Sequence, residues 1–147
     1  MKHLLSYVAL YCGLLLMCMS IAHAEVLQGT IGFSPPHKSG WIDLSPMIDF
    51  RRGDRLRLKI GGSATKIVVR LLSRDMDPNT PSGIEGDAVD VPENRIVEMV
   101  LQQDRKNIVQ VSVHGGANPW GLFPLGGGNG PATLLRVERM ASAEPET

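Results

Sequence analysis

The 147-residue chain has two cysteines, Cys12 and Cys18, and two tyrosines, Tyr7 and Tyr11, and all four fall within the first 18 positions. The remainder therefore offers no thiol as nucleophile or metal ligand and no disulfide. A domain of this length buries enough surface to fold without cross-links, so the lack of cysteine does not argue against an oxidising compartment. An excess of one charge is also missing, with 15 Lys and Arg against 15 Asp and Glu. That balance speaks against bulk binding of nucleic acid or anionic membrane. Histidine is scarce. His37 and His114 are the only ones after Ala24, and neither sits in a His-x-His or His-Glu-x-x-His spacing for zinc. No Asn-x-Ser/Thr acceptor occurs, since Asn79-Thr80-Pro81 has the wrong spacing.

What is present begins with an export signature. Lys2 and His3 give a short basic start, Leu4 to Ile21 form an apolar run, and Ala22-His23-Ala24 supplies the small-x-small pattern read by signal peptidase. Residues 1–24 are thus expected to be a cleaved signal peptide. The run approaches the ~20 residues that span a bilayer, so an uncleaved anchor is the competing reading. Met17 before Cys18 is too bulky for a lipidated cysteine. The expected location is a bacterial periplasm or the medium, with no membrane insertion after cleavage.

Residues 25–139 read as one all-β domain, and 140–147, small and acidic, as a disordered tail. Arg55 to Ile60 alternates strictly, with Leu56, Leu58 and Ile60 on one face and Arg55, Arg57 and Lys59 on the other. Ile108 to His114 does the same, with Val109, Val111 and Val113 opposed to Gln110, Ser112 and His114. Val26–Phe33, Trp41–Leu44, Lys66–Ser73, Ala88–Val91, Arg95–Leu101 and Thr133–Glu138 complete the set, separated by Gly, Pro, Asn and Asp turns. No segment shows helical periodicity bounded by caps. Seven or eight short strands joined in this way predict a single antiparallel β-sandwich of jelly-roll type.

The long segment from Gly115 to Pro131, rich in glycine, is the leading candidate for a binding end. Trp120 is placed to stack on a sugar or base face, while His114, Gln110, Asn118 and Asn129 supply directional hydrogen bonds. The alternative is that Trp120 caps the open end of the sandwich and the glycines only turn the chain. His114-Gly115-Gly116 lacks a Gly-x-Ser-x-Gly partner, and the run Gly126 to Gly130 lacks the Gly-Lys-Ser/Thr ending of a phosphate loop. Catalysis is not expected, and a small hydrolase relying on His114 is the third reading.

Asp75, Asp77 and Asn79 place oxygen side chains at alternate positions, like the first half of a calcium loop. Thr80 stands where the turn glycine belongs and Gly86 where the closing glutamate belongs, which leaves Glu85, Asp87 and Asp90 to complete an irregular site. An ordinary solvated turn explains the same residues. Arg51 to Lys59 carries five basic residues, read as a solvated sheet face or guarded edge. Arg52-Gly53-Asp54 spells an integrin-type tripeptide that is common by chance.

Gly40-Trp41-Ile42-Asp43-Leu44, followed by Phe50 and the entry Arg52-Gly53-Asp54-Arg55-Leu56-Arg57-Leu58, resembles the opening of galactose-binding-like jelly rolls. The resemblance implies a non-catalytic carbohydrate-binding module that uses loops at one end. Such modules often show several exposed aromatics, whereas here only Trp41, Trp120, Phe33, Phe50 and Phe123 follow the leader. A pocket for a sugar terminus or short glycan is therefore expected, rather than a broad aromatic platform. Docking of an envelope protein through the same glycine-rich end is the alternative from a different class.

Overall fold

The structure is a computed structural model that describes residues 24–79, 82–115 and 130–142. The expected signal peptide, apart from Ala24, lies outside these residues, as do Asn118, Trp120 and Asn129 and the last five positions.

The described residues form nine strands: β1 (Ala24–Val26), β2 (Gly29–Ser34), β3 (Ser39–Phe50), β4 (Arg55–Gly62), β5 (Lys66–Ser73), β6 (Ile84–Asp90), β7 (Ile96–Val100), β8 (Arg105–His114) and β9 (Ala132–Met140). They build a four-stranded sheet, in the order β1-β9-β4-β7, and a five-stranded sheet, in the order β2-β3-β8-β5-β6. Every pairing is antiparallel. The pairs β1·β9, β3·β8, β4·β7 and β5·β6 nest one inside the next, as in a long hairpin wound around itself. The expected β-sandwich is present, with jelly-roll winding.

The count is nine because the first expected strand is two. The chain leaves the ladder at Leu27-Gln28, so β1 joins one sheet and β2 the other. β3 is far longer than Trp41–Leu44 because pairing with β8 resumes at Ile48↔Ile108 after a register shift beyond Asp43↔Gln110. Pro46 lies within that shift, where a residue without an N–H interrupts the ladder. β9 runs through Met140, and the Ser142 N–H donates to Asp54 Oδ1 at 2.9 Å.

Alternation decides the core. Leu56, Leu58 and Ile60 face the five-stranded sheet and are buried, as period two requires, against Ile42, Leu71, Val111 and Val137. Each such side chain contributes about 1.5–3 kcal/mol on burial. On β8 the shift moves the core position from Val109 to Ile108, which is fully buried with Val111 and Val113 while Val109 is only half-buried. The expected set of three valines is corrected by this bulge, which offsets the alternation by one residue. β5 is buried on both faces. Ile67, Val69 and Leu71 enter the core, and Val68, Arg70 and Leu72 are covered on the outer side.

Candidate functional site: a polar cleft on the outer face of the five-stranded sheet

Cross-strand partners share a face, so the register fixes which side chains meet outside the five-stranded sheet. Ser39, His114 and Val68 form one row, Trp41, Ser112 and Arg70 the next, and Asp43, Gln110 and Leu72 the third. β2 extends the rows with Ser34, Gly32 and Thr30. A cleft of about 440 Å³ opens over this grid, with Trp41, Arg70, Gln110, Ser112 and His114 on its floor and walls. His37, from the turn between β2 and β3, and Pro78 and Asn79 reach it from its rims.

Each wall has a local cause. The β2–β3 turn closes with the Lys38 N–H on the Pro35 carbonyl at 3.2 Å, and the Lys38 carbonyl accepts from Gly115 at 3.0 Å and Ala132 at 3.1 Å. That anchors the turn carrying His37 to β8 and β9. Trp41 lies across Gly32, where an added Cβ would be 2.2 Å from the indole Nε1. Only a residue without a side chain leaves room for the ring there. The loop after β5 folds back over the sheet because Arg70 holds it. Nε donates to the Ser82 carbonyl at 2.7 Å, and the terminal nitrogens donate to Pro78 at 3.1 Å and Asp77 at 3.3 Å.

Among the polar groups, Gln110 Nε2 donates to Asp43 Oδ1 at 2.9 Å, and Ser112 Oγ lies 3.2 Å from His114 Nε2. Burial lowers the His114 pKa to about 4, and the neighbouring Arg70 and His37 push it in the same direction. The imidazole is therefore neutral near pH 7 and acts as a hydrogen-bonding group. Burial also lowers the Arg70 pKa, against the opposing pull of Asp77.

Two residues expected from the sequence, His114 and Gln110, thus line the cleft together. Asn118, Trp120 and Asn129, expected beside them, fall outside the described residues. Asn79, one of the three residues expected as calcium ligands, also lines the cleft. Asp77 Oδ1 accepts the Asn79 N–H at 2.9 Å, and the Asp77 and Pro78 carbonyls face the Arg70 guanidinium, which repels a cation. Asp75 lies 3.8 Å from Arg74 Nε. Glu85, read as able to close that site, is buried instead in an ion pair with Arg105, and Asp90 lies 3.9 Å from Lys66. Among the described residues no three His, Cys, Asp or Glu side chains converge as metal ligands.

Sequence reasoning passed over Trp41, Arg70, Ser112 and Ser39 as site residues. The signal for Trp41 was the same alternation that sends Ile42 and Leu44 inward. For Arg70 it was a lone charge inside the most apolar strand.

The basic run behaves as a solvated face. Arg57 pairs with Glu98 at 3.0 Å and Glu138 at 3.6 Å, and Arg136 with Glu138 at 2.8 Å, around a depression of about 180 Å³. Asp54 of the Arg-Gly-Asp tripeptide is buried, its carboxylate accepting the N–H groups of Arg51 and Ser142. It is not displayed to a receptor.

No family model, curated protein or solved structure matches the chain significantly.

Proposed function

We propose that this protein is an exported, non-catalytic binding module whose cleft takes a carbohydrate. One observation carries the reading: Trp41, Gln110 and His114 meet on one face of a 440 Å³ cleft. Sugars bind where an aromatic ring covers their C–H face and fixed donors and acceptors meet their hydroxyls. Gln110, neutral His114, Ser39 and Asn79 supply both kinds of polar group. The likeness of Gly40–Leu44 and its sequel to galactose-binding-like jelly rolls supports the same class, with the site on a sheet face instead of a loop end. The leader at residues 1–24 supports a periplasmic or secreted location.

The Ser112–His114 contact is the one feature that favours a hydrolase. Among the described residues no carboxylate lines the cleft to orient the imidazole, and Ser112 is itself buried. The contact is better explained as pairing of two buried polar groups.

Titration of the protein with a panel of mono- and oligosaccharides, read by calorimetry and tryptophan emission, tests the reading. Saturable binding that disappears in Trp41→Ala and Gln110→Ala, with unchanged circular dichroism, supports it. Absence of binding across the panel overturns it, as does binding that both variants retain.

A further inference from the structure

Among the described residues each sheet ends in two edge strands, and three of the four carry acidic residues. β1 holds Glu25, β6 holds Glu85, Asp87 and Asp90, and β7 holds Glu98. Charges on an edge strand discourage a second chain from pairing with it. β2, Gly29-Thr30-Ile31-Gly32-Phe33-Ser34, has neither a charge nor a proline. It also carries two exposed apolar side chains, Ile31 at 55% and Phe33 at 41% accessibility. The Ser45 N–H donates to the Gln28 carbonyl at 3.0 Å, which makes Thr30↔Asp43, Gly32↔Trp41 and Ser34↔Ser39 the hydrogen-bonded pairs with β3. The N–H and C=O groups of Gly29, Ile31 and Phe33 therefore point away from β3. They face an edge on which no strand pairs among the described residues.

We infer that this edge pairs with β2 of a second copy of the chain, antiparallel about a two-fold axis at Ile31. The strand fits itself in that register. Ile31 stands opposite Ile31 of the second copy, and Phe33 opposite Gly29 of the second copy, each pair exchanging its outward main-chain groups. Gly29 has no side chain on the face that Ile31 and Phe33 share, and an added Cβ would lie 2.1 Å from the Asp43 carbonyl oxygen. The incoming phenyl ring thus covers a bare α-carbon, as aromatic residues do across from edge glycines. No like charges meet along the strands. The chain also balances 15 Lys and Arg against 15 Asp and Glu, so two copies do not repel one another. A strand from another protein would use the same main-chain groups, but the glycine that receives Phe33 is supplied by β2 itself. Opposed residues share a face, so both clefts open on the same side of the joined sheet.

Analytical ultracentrifugation of the chain purified after expression of the whole sequence, at concentrations up to about 1 mM, tests the pairing. The expected result is a concentration-dependent dimer in the weak range of interfaces smaller than about 1,200 Å². Ile31→Lys sets two like charges against each other at the axis and should weaken the dimer at least about tenfold. Phe33→Lys should do the same, and it carries the test if circular dichroism shows that Ile31→Lys does not fold. Val100→Lys, at an exposed apolar position on the edge strand β7, should leave the dimer unchanged. Ile31→Glu alone should be monomeric, whereas an equal mixture of Ile31→Lys and Ile31→Glu should dimerise again, because position 31 faces itself. A parent chain that stays monomeric throughout overturns the inference, as does a dimer that survives both lysine variants on β2. A mixture that stays monomeric overturns the two-fold register.

Discussion

The indole of Trp41 covers the bare α-carbon of Gly32 so closely that an added methyl carbon would lie 2.2 Å from Nε1. The aromatic wall of the cleft is thus set by a glycine on the neighbouring strand. In Gly32→Ala the ring must leave its seat while the ladder between β2 and β3 persists. Ligand affinity should fall roughly tenfold, the worth of one aromatic contact. Trp41 emission should shift in a Trp120→Phe background that isolates it. Unchanged emission and affinity would show that the ring is not seated by Gly32.

His114 gives the fold a pH dependence of known sign. Its pKa is about 4 when folded, against 6.5 for the ordinary imidazole, so between these values the unfolded chain binds a proton that the folded chain does not. Stability is therefore fully present above pH 6.5 and falls as pH drops toward 4, below which this group adds no further loss. The full effect is about 3 kcal/mol. Urea unfolding at pH 7 and pH 4 should show His114→Gln losing less over this interval than the parent chain, by that order. An identical loss in both would falsify the assignment.

The buried pair of Glu85 and Arg105 joins β6 to the start of β8. Removing one partner leaves a charge without its counter-ion in a low-dielectric setting. Glu85→Ala and Arg105→Ala should each cost about 3–5 kcal/mol. The double variant Glu85→Leu/Arg105→Met should recover much of that, since no lone charge is left. A double variant as unstable as the worse single would mean that the site depends on shape more than on charge.

Arg95 sits at a φ of 61° and gathers the turn between β4 and β5. Its guanidinium donates to the carbonyls of Ile60, Gly61, Gly62 and Ala64, the shortest at 2.7 Å. Arg95→Ala loses these bonds and keeps the unfavourable backbone angle, whereas Arg95→Gly loses the bonds and relieves the angle. Thermal melts should therefore rank the parent first, glycine second and alanine last, with about 1 kcal/mol between the two variants. The reverse order would mean that backbone strain at this position is negligible.

Much of the architecture was legible because one-sided burial writes itself into the chain with period two. β4 is the clear case, where Leu56, Leu58 and Ile60 alternate with charges and enter the core as read. β8 was legible only in part, since a bulge shifts the alternation and no local residue announces it. The site was less legible. Gln110 and His114 were visible as the polar side of an alternating strand, but their company comes from pairing with β3 and β5, far away in sequence. Trp41 and Arg70 enter through that register alone. The same holds for Glu85, whose ion-pair partner Arg105 lies twenty residues on.

The pairing of Ala24 with Met140, with Ser142 fastened to Asp54, brings both ends of the described chain to one pole of the sandwich. His37, Ser39 and His114 lie toward the other pole, beside the start of β9. The described chain therefore enters and leaves the sandwich at the pole away from His37, Ser39 and His114. A linker, a tag or a solid support joined directly at Ala24 or Ser142 would begin at that pole, clear of the end of the cleft that these three residues line.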